Sequence, residues 1–166
     1  MENQQLNLLI PENKIGKAVD IEHVITKDDR EKAIDTFKRA TKRLLNVPVW
    51  HKLCGIASAE FTLIGNDGEE KHRLAQVYDY FKIAVTGPGS VAGGGYDWVQ
   101  VESISDESNA DAEEEQFAMT VRACKNPQQE EGVTAHFFTS DATSTFIINR
   151  NGNTITASYY GRNEIA

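Results

Sequence analysis

Cysteine, positive charge and long apolar runs are all scarce in this chain, and each scarcity removes a class of protein. The two cysteines, Cys54 and Cys124, stand far apart with no Cys-x-x-Cys or Cys/His metal spacing, so they read as two buried thiols rather than as metal ligands. Lys and Arg number 17 against 25 Asp and Glu, a net charge of −8 with an isoelectric point near 5.0. Such a field repels phosphate backbones and anionic bilayers, so neither nucleic acid nor membrane is an expected partner. No apolar stretch approaches the ~20 residues that span a bilayer. Leu6, Leu8, Leu9 and Ile10 stop at Pro11 without a basic leader, too short for the core of a signal peptide. A cytoplasmic protein is the expectation.

Catalytic signatures are missing too. No glycine is followed by Lys and then Ser or Thr, which rules out a Walker loop, and G-x-S-x-G and H-E-x-x-H do not occur. No cofactor or metal is implied by any motif.

What is present describes a folded, mainly β chain. Its 166 residues suit one domain, and 40% apolar with 25% charged residues is a globular composition. Residues 1–25 carry no clear period and include Pro11, Asn13 and Gly16, so they read as an extended arm. The segment 26–46 is helical, with the helix itself over roughly 28–45. Thr26-Lys27-Asp28-Asp29 resembles a capping box, and Ala33, Ile34, Phe37, Ala40, Thr41, Leu44 and Leu45 follow at helical spacing. Acidic residues lie at its start, and Lys38, Arg39, Lys42 and Arg43 lie toward its end, the order that the helix dipole favours.

From 47 to 166 the period falls to two. Asn151-Gly152 between two alternating runs predicts a tight hairpin, with Ile148 opposite Ile155, Phe146 opposite Ala157 and Ser144 opposite Tyr159. One face is then apolar and the other, through Asn149, Thr145, Thr154, Thr156 and Ser158, mostly polar. Gly65-Asn66-Asp67-Gly68 is a second turn, before a long run from Arg73 to Val85 in which Phe81, Ile83 and Val85 share a face. Trp98–Ile104, Phe117–Ala123 and Val133–Thr139 complete the strands. The fold class is mainly β, or α+β by strict count: an antiparallel β-barrel or sandwich of about seven or eight strands with one amphipathic helix packed on it. Between strands, the acidic run from Ser105 to Glu115 reads as a solvated loop, since its carboxylate order is not that of an EF-hand.

The stretch Thr86-Gly87-Pro88-Gly89-Ser90-Val91-Ala92-Gly93-Gly94-Gly95-Tyr96-Asp97-Trp98 is the most distinctive. Its Gly87-Pro88-Gly89-Ser90-Val91-Ala92 fits the loose G-x-G-x-x-[GA] pattern, but a dinucleotide site needs a helix to start there, and three glycines and a strand-like run follow instead. It reads as a wide turn or a binding loop at a barrel mouth, flanked by Tyr96 and Trp98 as stacking surfaces. The candidate ligand-binding set is Gly89, Gly94, Tyr96, Asp97, Trp98, His136 and Arg162. His136 lies on an alternating run with Thr134 and Phe138, and Arg162 sits in a segment suited to anion binding. Three classes of function follow. The first is a non-catalytic module binding a small molecule or a protein. The second is a small enzyme using His136 with Asp97 or Asp79. The third is a homo-oligomer joined through strand edges or the helix.

Overall fold

The structure is a computed structural model that describes residues 9–47, 59–85, 96–128 and 140–164. Its elements are β1 (Lys17–Thr26), α1 (Arg30–Leu45), β2 (Ala59–Ile64), β3 (Tyr80–Val85), β4 (Asp97–Glu107), β5 (Glu114–Ala123), β6 (Thr143–Asn151) and β7 (Thr154–Glu164). The seven strands form one sheet in the order β1-β7-β6-β5-β4-β3-β2, every neighbouring pair antiparallel. The expected antiparallel, mainly β architecture with a packed helix is the one observed. Among the described residues the sheet is open, with β1 at one edge and β2 at the other. The run Val133–Thr139, expected as a strand, lies outside the described residues.

The helix packs on one face of the sheet, here called the inner face. Ala33 and Phe37 of α1 are buried with Phe81, Val99, Val101, Phe117, Met119, Val121, Ile148 and Ile155, and Ala40, Leu44 and Leu45 extend the contact. Those helix positions repeat at the spacing of one helical face, so the stripe read in the sequence is the stripe that is buried. The start of the helix differs from the expected capping box. Asp29 is the cap, its carboxylate accepting the Lys32 N–H at 2.8 Å, whereas Thr26 closes β1 with its hydroxyl 3.2 Å from that of Thr154. Thr26 is held in β1, and Asp29, at φ −143 and ψ 166, has the extended conformation that a cap requires next to the first helical turn.

The arm expected over residues 1–25 becomes a strand in its second half. β1 pairs with β7 along nearly its whole length. Its alternation was hidden because it is an edge strand exposed on both faces, which imposes no apolar period. At its start Asn163, at φ 56, accepts the Lys14 and Ile15 N–H groups on its side-chain oxygen at 2.7 and 3.1 Å and donates to the Glu12 carbonyl.

The β6–β7 hairpin turns one residue later than expected. Asn151 pairs with Thr154, so Gly152 and Asn153 form the loop, and Gly152 sits at φ +61. Moving the loop by one residue moves each partner by two, so Ile148 faces Ala157 and Phe146 faces Tyr159. Both faces therefore keep the composition that the alternation predicts. The long run from Arg73 is not all strand, because Asp79 closes a turn before β3. Its carboxylate takes two bonds from Arg73, at 2.6 and 3.1 Å, and one from the Gln76 N–H at 2.8 Å.

The acidic run is also shorter as a loop than expected, since β4 reaches Glu107 and β5 begins at Glu114. A buried arginine organises it. Arg150, fully buried on the inner face, donates to Glu115 Oε2 at 2.7 Å, to the Ala112 carbonyl at 2.7 Å and to the Gly152 carbonyl at 2.9 Å. Arg30 of α1 donates to the same Ala112 carbonyl at 2.9 Å and pairs with Glu113, so the loop also anchors the first turn of the helix.

Candidate functional site

Two clefts of comparable size draw on residues with chemistry, one on each face of the sheet. The inner one lies between α1 and the β1–β7 edge. Thr36, Arg39, Ala40 and Arg43 face it from the helix, at i, i+3, i+4 and i+7, and His23 and Ile25 of β1, with Lys27 just beyond its end, face it from alternate positions. Ile155 and Ala157, paired with Ile25 and His23, complete the floor. The cavity is about 330 Å³, near the lower end of the range for small-molecule sites.

Its chemistry is unlike that of the rest of the chain. Four basic side chains, His23, Lys27, Arg39 and Arg43, stand around an apolar floor of Ile25, Ala40, Ile155 and Ala157 with no acidic residue in the lining. Arg39 is held by Asp35 at 3.0 Å, an exposed pair of the kind that contributes little to stability and exchanges readily. Arg43 sits near the carbonyl end of the helix, where a cation partly offsets the macrodipole. His23 and Lys27 belong to β1 and its end, and sheets carry little net dipole to offset.

The outer cleft is lined by Glu60, Thr62, Ile64, Glu70, Lys82, Ala84, Tyr96 and Gln128 and is also about 330 Å³. It includes part of the site anticipated beside the glycine-rich stretch. The Lys82 ammonium lies 4.1 Å from the centre of the Tyr96 ring and 5.8 Å from that of Trp98, so the aromatic platform already carries a cation. Trp98 is fully buried and packs with Ile64, which leaves it no face for a ligand.

The sequence-predicted site residues are scattered. Gly89, Gly94 and His136 lie outside the described residues. Tyr96 and Trp98 are on the outer face, and Asp97, buried between them in sequence, points to the inner face with Val99 and Val101. Asp79, the alternative acid, is bound up in its turn, and its main chain pairs with Val101, four residues or about 13 Å along β4 from Asp97. Arg162 is on β7, three strands or about 14 Å across the sheet from β4, where it donates to Asp20 at 2.5 Å and to the Val19 and Gly161 carbonyls. All three contacts are made by its Nη1, at the β1–β7 edge. Cys124 is half-buried and its thiol is pushed up to about 12 by burial, which makes it a poor nucleophile. No group of three or more His, Cys, Asp or Glu side chains suited to a metal ion occurs among the described residues, and no described helix is long and apolar enough to cross a membrane.

Sequence reading missed the inner cleft because its two walls are joined only by folding. The basic cluster on α1 was visible, as was Lys27, but nothing in the chain says that the helix lies against β1 and β7.

A helix laid across the inner face of an open seven-stranded antiparallel sheet, with a cleft at the sheet's edge, is the class of structure these elements define. No family model matches the chain and no curated protein sequence matches it. Among solved structures the chain is similar to the crystal structure of a hypothetical protein, jhp0584, from Helicobacter pylori, with a TM-score of 0.51 and 12% identity over 94% of this chain and 74% of that one. That likeness is one of fold. The crystal structure of Ara h 8.0201 aligns with a TM-score of 0.33 and 12% identity, over 88% of this chain and 77% of that one.

Proposed function

We propose that this protein is a non-catalytic binding module for a small amphipathic anion, held in the cleft between α1 and the β1–β7 edge. The observation that carries the reading is the lining itself: His23, Lys27, Arg39 and Arg43 around an apolar floor, in a chain whose net charge is −8. Basic groups gathered against the sign of the whole molecule create a local field that draws an anion despite the long-range repulsion. The guanidinium groups of Arg39 and Arg43 suit the planar fork of a carboxylate or a phosphate. The methyl-bearing floor of Ile25, Ala40, Ile155 and Ala157 takes an apolar tail, at about 25 cal/mol per Å² removed from water.

The test is a thermal-shift series with decanoate, octyl phosphate, decanol and inorganic phosphate. A ligand at about a hundred times its dissociation constant adds roughly 2.7 kcal/mol, or about 5–10 °C for a chain of this size. Decanoate or octyl phosphate should give that shift, decanol and inorganic phosphate much less, and Arg39→Glu with Lys27→Glu should abolish it. An equal response to decanol, or one unchanged by the charge reversals, sinks the proposal.

A further inference from the structure

Three of the seven large apolar side chains left exposed among the described residues lie on β1, where Ile21, Val24 and Ile25 are 59%, 51% and 40% exposed. β1 is also an edge strand, bonded to β7 and to no other strand among the described residues. The direction of its free main-chain groups follows from one bond. The Lys27 N–H donates to the Asn153 carbonyl at 2.9 Å, so Lys27 and, at every second residue before it, Ile25, His23 and Ile21 turn their N–H and C=O toward β7. Asp20, Glu22, Val24 and Thr26 turn theirs outward. A long strand with an open ladder and apolar side chains is a template for another strand.

From this geometry we infer that the chain forms a symmetric dimer by antiparallel pairing of β1 with β1 of a second copy, centred on His23. A two-fold axis perpendicular to the sheet keeps inner faces together, so the paired residue numbers share parity and the axis passes midway between one residue and its own copy. Charge then selects among the centres. Centring on Asp20 or Glu22 opposes that carboxylate to its own copy, and centring on Ile21 opposes Asp20 to Glu22 twice; like charges directly across a sheet are destabilising. Centring on Val24 avoids this but pairs only residues 22–26 of the strand.

Centring on His23 pairs residues 20–26, with Asp20 opposite Thr26 and Glu22 opposite Val24 of the second copy. It joins the outward-turned groups by roughly eight main-chain hydrogen bonds. On the inner face it sets Ile21 against Ile25 of the second copy, twice, with the two His23 rings between them. The joined sheet would run continuously through both molecules.

This inference stands apart from the ligand proposal, although the two meet at β1: Ile21 of the second copy would lie beside Ile25 and lengthen the apolar floor of the cleft. The experiment is sedimentation equilibrium combined with engineered cross-linking. The full chain should pass from monomer to dimer between about 1 µM and 1 mM, and, because each copy is acidic, more readily at higher salt. Under oxidation His23→Cys should give a disulfide-linked dimer, since a pair of this type places Cα atoms about 4.5 Å apart, within disulfide reach. Ile21→Cys should not, because Ile21 and its copy are offset by about 13 Å.

Val24→Pro removes an outward N–H while leaving the β7 ladder intact, so it should give a folded monomer that still binds the anion. Should that variant not fold, Val24→Lys serves instead. It sets an ammonium opposite Glu22 of the second copy at this register, and the dimer should tighten severalfold at low salt. A wild-type chain that stays monomeric at about 1 mM, a dimer that survives Val24→Pro, or cross-linking through Ile21→Cys in place of His23→Cys overturns the inference.

Discussion

Replacing Arg150 with methionine should be among the most damaging single changes to this fold. The guanidinium is fully buried, and Glu115, its partner at 2.7 Å, is 1% exposed. Methionine fills much of the volume but leaves the carboxylate in the core with only the Asn109 N–H, at 2.8 Å, as a hydrogen-bond donor among the described residues. The carbonyls of Ala112 and Gly152 lose their guanidinium bonds as well. Breaking one half of a buried pair costs about 3–5 kcal/mol, because an uncompensated charge is more expensive than the pair was worth. For a chain of this size that is a fall in Tm of roughly 6–20 °C.

Adding Glu115→Leu to Arg150→Met should recover much of the loss, since replacing both charges removes the desolvation penalty along with the attraction. Arg150→Lys should fall between, because an ammonium cannot reach the carboxylate and the separate carbonyls with a planar fork. Urea unfolding followed by circular dichroism reads all of these. A cost below about 1 kcal/mol for Arg150→Met, or a double variant as unstable as the sum of the single ones, would refute the argument. The consequence reaches the cleft. Arg30 anchors α1 to the same loop carbonyl, so Arg150→Met should also weaken anion binding without touching a residue of the lining.

Alkaline pH supplies another test. Burial raises the Cys124 thiol from 9.0 to about 12, and burial also raises Tyr80 and Tyr159. The folded chain holds these protons more tightly than the unfolded one, so the stabilisation is complete below pH 9 and is lost as pH climbs toward 12. For the thiol alone the slope is at most roughly 1.4 kcal/mol per pH unit. Cys124→Ala should flatten the urea midpoint between pH 9 and 11, and an unchanged pH profile would count against a buried thiol. At the β6–β7 turn, Gly152→Ala should cost about 1 kcal/mol because φ +61 is unfavourable for a side chain, and Gly152→Asn should cost less. Equal stability of all three chains would mean that the turn relaxes to another conformation.

The helix, the β-rich remainder and the two faces of the last hairpin were legible in the sequence, because side-chain period records which face of an element is buried. That is why the faces of β6 and β7 survive a misplaced turn: Phe146 and Ile148 stay inward whether the loop is Asn151-Gly152 or Gly152-Asn153. Asp29 was legible at the start of the helix, though as the third residue of a capping box rather than as the cap it is, since a short carboxylate bonds nearby amides whatever lies further away.

Period is silent on which element lies beside which. β1 has solvent on both faces and so no alternation to read, and only its pairing with β7 makes it a strand. The joining of Arg150 to Glu115 and of Lys14 to Asn163 crosses long stretches of chain that no local pattern spans. The cleft is the clearest case. Local sequence determined the basic stripe at Arg39 and Arg43, and pairing with β7 set the side of β1 that carries His23 and Ile25. Only the packing of α1 across β6 and β7 brought the two together, because their proximity depends on contacts between distant segments rather than on the local preferences of either.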